Sequence, residues 1–200
     1  MLYCSIDMES TGLDADNHDI IEFGAVLDDL SKLDPVETLP TFHCYFVKDV
    51  YTGSPFALSM HPEIFRRIAE RDVSKYKFFS AMKFGHAFKR FLINQGYETE
   101  HDRVTINVAG KNFGACDLQF LNKQTDLSKH VQIRHKILDP GILFVEKGDE
   151  SLPGLGQCKE RMGLNDSVDH TAVADAIDVV HLIRFAFKDM FVLEHGECVS

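Results

Sequence analysis

Residues 3–29 read YCSIDMESTGLDADNHDIIEFGAVLDD. An apolar run through Tyr3, Cys4 and Ile6 leads to two acids, Asp7 and Glu9, and then to a turn-rich loop, STGLDADNHD (10–19). A second run, IIEFGAVLDD (20–29), is apolar through its middle. This arrangement predicts strands over 2–9 and 20–29. Side chains two apart in a strand share a face, so Asp7 and Glu9 point the same way. Two neighbouring carboxylates repel, and burying them is costly unless something positive sits between them. A divalent cation, which takes oxygen ligands, meets that need. A D-x-E pair alone is common by chance, so the rest of the chain has to decide.

Working outward, TFHCYFV (41–47) predicts a third strand, antiparallel to its neighbours. KDVYTGSPFALSM (48–60) reads as a loop, followed by a helix from His61 with Pro62 in its first turn. Phe84, Phe88 and Phe91 recur at helical spacing and predict a core-facing helix over 80–95. Lys83, His86 and Arg90 share another side of it. RVTINVAG (103–110) reads as a fourth strand, FGACDLQFLNKQ (113–124) as the helix after it, and HKILD (135–139) as a fifth strand. LPGLGQCKERMG (152–163) is a short helix ended by Gly163, and 170–190 form a long final helix. The expected architecture is α/β, a mixed five-stranded sheet with helices on both faces, in a single domain over 1–200.

Composition supports a globular core: 44% hydrophobic, 26% charged and 16 Phe. No apolar run reaches the roughly 20 residues that span a bilayer, and the N-terminus does not read as a secretion signal. The cysteines at 4, 44, 116, 158 and 198 are dispersed and odd in number, which reads as reduced thiols in a cytoplasmic setting. The net charge of −10 argues by itself against nucleic acid. The charge is uneven, however. Residues 1–35 hold nine acids and one Lys, and 66–90 hold eight Lys or Arg and two acids. That is either an acidic centre beside a basic patch or simply solvated surface.

Two further acids stand out. Asp117 follows a strand and a Gly-punctuated loop at a helix start, where the dipole also favours Asp for structural reasons. Asp175 falls on an apolar stripe with Ala172, Val179, Leu182 and Ala186, and no Lys or Arg lies one turn away. Asp178, His181, Arg184 and Lys188 form the expected wet side of that helix. His170 sits five residues before Asp175, at or just before the helix start, as a cap or as a group facing the same site.

In order and context, IDMESTGL (6–13), VAGKNFGACDLQFL (108–121) and HTAVADA (170–176) resemble the three motifs of the DEDDh 3′→5′ exonuclease family. ILDPGILF and SPFALSMHPEI also resemble segments of its stand-alone members, although His61 stands where many relatives have Asn. The resemblance implies a ribonuclease H-like fold. It implies two divalent cations, Mg²⁺ or Mn²⁺, held by Asp7, Glu9, Asp117 and Asp175, with His170 as general base. It implies stepwise release of nucleoside 5′-monophosphates from single-stranded or short DNA or RNA. Ser10, Thr11, Gly12 and Leu13 are the implied grip on the terminal nucleotide, with Asn112 and Phe113 as further contacts. It leaves monomer and homodimer open.

Other readings remain. DMESTGLDADNH (7–18) has the acids and Gly of a calcium loop, but His18 stands where that loop needs a bidentate Glu. A non-catalytic binding module on the same fold and a related endonuclease also fit parts of the pattern. The crowd of acids beyond Glu9, namely Asp14, Asp16 and Asp19, reads as solvated turn residues.

Overall fold

The computed structural model of the chain describes residues 1–32, 34–164 and 171–192, with side chains through 188. In chain order its strands are β1 (Leu2–Ser10), β2 (Ile20–Asp29), β3 (Thr41–Phe46), β4 (Phe78–Phe79), β5 (Thr99–Glu100), β6 (Arg103–Ala109) and β7 (Val131–Leu138). They form one seven-stranded sheet. β1, β2 and β3 make an antiparallel meander, as the short loops require. β6 then runs parallel to β1, and β7 parallel to β6. Five of these strands were expected from hydrophobic pattern. β4 and β5 are two-residue additions beside β3 and β6, too short to leave a periodic signal. β7 begins at Val131, four residues before the expected start, because the polar, exposed residues Gln132, Arg134, His135 and Lys136 mask its alternation.

The helices are α1 (Pro55–Met60), α2 (Pro62–Glu70), α3 (Ala81–Asn94), α4 (Asp117–Gln124), α5 (Leu127–His130), α6 (Pro140–Leu143), α7 (Leu155–Met162) and α8 (Ala172–Val192). The loop expected over 48–60 thus ends in a helix. Ser54 caps α1 by accepting from Ala57 N at 3.1 Å, and Pro55 and Pro62 each open a helix where a missing N–H does no harm. α4 starts at Asp117 rather than at 113. Asn112 before it holds a left-handed backbone, φ 54°, which ends any helix reading there.

Two layers cover the sheet because each strand alternates. Cys4, Ile6 and Met8 of β1 pack with Phe23, Phe42, Phe84 and Phe88 against α3 and α4. The Phe23 ring meets those of Phe84 and Phe88 edge-on at 4.7 and 5.2 Å. Tyr3 and Val26, on the other face, pack against Ala176, Val179, Val180 and Ile183 of α8. The odd-numbered residues of β1 therefore face α8, and Asp7 and Glu9 are among them.

α8 is clamped to this face by a charge. Arg184 was expected on a wet side. Instead it donates to both oxygens of buried Asp28, at 3.0 and 2.6 Å, and Tyr3 Oη donates to the same carboxylate at 2.8 Å. Asp178, from the same expected side, pairs with buried Lys159 of α7 at 2.5 Å. Removing one partner of a buried pair leaves an uncompensated charge. Arg184→Ala should therefore lower unfolding free energy by about 3 kcal/mol in a denaturant titration. An unchanged midpoint would show that the clamp contributes nothing.

Candidate active site

The site lies where β6 ends beside the second half of β1, its parallel neighbour. β1 delivers Asp7 and Glu9 to the α8 face, and the first turn of α8 delivers Asp175. One carboxylate oxygen from each of the three lies within 4.8 Å of the others. Asp117 comes from the opposite layer, at the start of α4, where Phe120 and Leu121 fix the helix in the core. It stands outside the group of three but close enough that its charge acts on Asp7. Oxygen donors so grouped suit a hard divalent cation.

Burial and mutual repulsion dominate the electrostatics. Desolvation, then the charges of Asp117, Glu9, Asp175 and Glu22, push Asp7 well above the ordinary carboxylate range. Glu9 is pushed up to about 8, by desolvation first and Asp175 second. Burial raises Asp117 to about 7. His61 is a nearby basic group, its Nε2 3.5 Å from Glu9 Oε2. It sits buried at the junction of α1 and α2. His170 lies outside the described residues.

A cleft of about 600 Å³ opens beside Glu9 and Asp117. Its walls include Ser10, Gly12, Leu13, His18, Phe56, Met60 and His61. Leu13 and Phe56 project into solvent, 95% and 76% exposed. Phe56 and Met60 escaped the sequence reading, because an apolar residue in a loop carries no periodicity. Among the described residues lining this cleft, none is Lys or Arg. The basic run over 66–90 does not supply them. Arg66 is paired with Glu63 and Glu70, Lys75 with Asp72, and Arg67 with Glu63 and the Tyr45 hydroxyl.

The Ser10–Leu13 segment is held by a network in which Asp19 is the hub. Asp19 was expected as a solvated turn residue but is buried. Its carboxylate accepts from Thr52 N at 2.6 Å and pairs with Lys48. Its backbone N–H donates to Thr11 Oγ1 at 2.7 Å. Thr11 in turn donates to Thr52 O at 2.5 Å, and its carbonyl accepts from Ser54 N at 2.9 Å. The loop after Glu9 and the start of α1 are thereby one piece. Thr11 is buried in that network and is not a cleft wall. Gly12 is needed because any Cβ there would fall onto the His18 ring.

The two contacts expected from the second motif lie elsewhere. Phe113 is fully buried in the core, so it faces the interior and not a ligand. Asn112 is exposed but is not among the cleft residues. Its N–H donates to Asp139 Oδ2 at 3.0 Å, and its side chain accepts from Lys111 Nζ at 2.8 Å. The calcium-loop reading fails on geometry, since Asp7 and Glu9 lie inside β1. Asp14 and Asp16 are exposed and locally engaged, Asp16 with Lys123 at 2.6 Å.

By sequence, no family model and no curated protein matches the chain. Solved structures do resemble it. Pop2p of S. pombe, in its Mg²⁺- and Mn²⁺-bound form, superposes with a TM-score of 0.62 at 16% identity, over 94% of this chain and 84% of that one. The nuclease domain of 3′hExo, a DEDDh family member bound to rAMP, gives 0.59 at 17%, over 94% and 92%. ExoI of E. coli, in a zinc-bound complex with ssDNA, gives 0.59 at 15%, over 97% of this chain but 42% of that chain. No helix among the described residues is long and apolar enough to cross a membrane.

A carboxylate whose folded pKa is raised takes up protons on folding, so its stabilisation is present at low pH and fades as pH rises. For Glu9 the window runs from its ordinary value of 4.5 to about 8. Without divalent cations, the melting temperature should fall as pH climbs through that window. Glu9→Gln should flatten the fall and leave the protein several degrees more stable at the upper end. Parallel curves for the two proteins would contradict the repulsion. At this level of identity the likeness is one of fold: the chain has the ribonuclease H-like fold that these structures share.

Proposed function

We propose that the protein is a metal-dependent 3′→5′ exonuclease of the DEDDh type, a single catalytic domain acting on single-stranded or short nucleic acid. The observation that carries this reading is the pairing of an acid cluster with a cleft whose described walls contain no Lys or Arg. A polyanion entering that cleft meets repulsion unless cations sit on the carboxylates. The motif order in the sequence supports the same reading, as does the shared fold with nucleases bound to Mg²⁺ and Mn²⁺, rAMP and ssDNA.

Asp7, Glu9 and Asp175 would hold the cations, Mg²⁺ or Mn²⁺, with Asp117 completing the set. Cations held there would supply acidification of a water and compensation of charge on the phosphate. The chain's own residues do the rest. Leu13 and Phe56 present apolar surface to the terminal base, a contact tolerant of sequence because every base has a π face. The Thr11–Asp19–Thr52 network holds Ser10 to Leu13 rigid beside Glu9, so the terminal sugar is met by a fixed edge. His170 takes the proton of the attacking water on an imidazole nitrogen. The leaving group is the 3′-oxygen of the penultimate nucleotide, and the product is a nucleoside 5′-monophosphate. The alternative is a binding module that uses the same cleft without hydrolysis.

Incubation with 5′-labelled single-stranded DNA and RNA and Mn²⁺ should give a ladder shortening one nucleotide at a time. Asp7→Ala and His170→Ala should each slow it at least 100-fold. Binding without shortening would favour the non-catalytic module, internal fragments an endonuclease, and unimpaired variants would sink the assignment.

A further inference from the structure

Glu22 lies in β2 directly across from Glu9 of β1, and none of its surface is exposed. Its charge adds to the repulsion on both Asp7 and Glu9. A further buried acid beside a strained cluster needs a reason, and the hydrogen bonds supply one. Glu22 Oε2 accepts the backbone N–H of Ala172 at 3.1 Å. Ala172 is the first residue of α8, and its N–H is one of the donors that a helix cannot satisfy internally. The other oxygen, Oε1, accepts from His43 Nε2 at 2.6 Å. The His43 ring is steadied by edge-on contacts with Tyr45 and Tyr76, at 4.9 and 6.2 Å between centroids.

The helix start is also pressed against the sheet. Two residues along β2, on the same face, any Cβ at Gly24 would run into the backbone of Ala172 and Val173. One turn further, Ser5 Oγ of β1 donates to Ala176 O at 2.8 Å. Asp175 sits between these two anchors. Like charge on Asp7 and Glu9 pushes it outward, so the helix can keep it within 4.8 Å of them only if its first turn is held.

We propose that Glu22 is a positioning residue: by capping α8, with His43 fixing its second oxygen, it sets the place of Asp175 in the acid cluster. This rests on reading that cluster as a cation site. Glu22 touches neither substrate nor reacting atoms in this scheme. Its negative charge also suits the positive end of the α8 dipole, which offsets part of the cost of burying it. Partners that orient metal-binding side chains govern affinity about 10- to 100-fold.

The test is Mn²⁺ titration calorimetry on the intact chain, well below the melting temperature, with folding checked by circular dichroism. Glu22→Ala should bind Mn²⁺ at least ~10-fold more weakly than wild type. Glu22→Gln keeps an acceptor for Ala172 N–H and should stay within about threefold of wild type. A Glu22→Ala protein that is less stable but binds Mn²⁺ normally would make Glu22 an ordinary helix cap and overturn the proposal. Glu22→Gln binding as poorly as Glu22→Ala would overturn it too, since charge rather than the cap would then matter. If Glu22→Ala does not fold, His43→Ala replaces it, with about threefold weaker binding expected and unchanged binding overturning the proposal. Wild type that binds no Mn²⁺ would instead defeat the cation reading beneath it.

Discussion

Three carboxylates brought within 4.8 Å of one another repel, and most of what is unusual in this chain accommodates that repulsion. Asp7 and Glu9 share a face because a strand has a period of two. Asp175 meets them because α8 lies across that face. Partial burial limits how far water can relieve the charge, and the described walls of the cleft bring no Lys or Arg. A strongly acidic protein is in this way consistent with a nucleic-acid substrate. In the proposed scheme the attraction would be local and come from cations, not spread over the surface.

Holding such a cluster together falls to contacts several residues away. Arg184 and Tyr3 on Asp28, Ser5 on Ala176, and Glu22 on Ala172 tie α8 to β1 and β2 at three heights. Asp19 does the same for the loop after Glu9, joining it to the start of α1. The sheet is thus the frame, and the acids project from the few places where its two helical layers meet its strand ends.

The main strands were legible as apolar runs bounded by turn residues, and α3 by its helical period. Phe84 and Phe88 announced α3, and the apolar run ahead of Asp7 announced β1. The convergence of Asp7, Glu9 and Asp175 followed from resemblance and stripe placement together, since no single spacing brings residues so distant in sequence to one point. Glu22 was missed although a signal existed: it is an acid inside the otherwise apolar run IIEFGAVL. Asp19 was misread because turn residues and buried hubs share the same local composition. Phe113 lies in the core, which the motif resemblance could not show, since it places a residue in sequence without saying which way its ring points. Within the basic run over 66–90, counting along the chain does not see pairing across a helix turn, as in Arg66 with Glu63 and Glu70.

If the carboxylates serve to hold divalent cations, anomalous diffraction from crystals soaked in Mn²⁺ should show a peak within coordination distance of Asp7, Glu9 and Asp175, lost in Asp175→Asn. Density at that point without an anomalous peak, or Mn²⁺ bound elsewhere on the chain only, would contradict it.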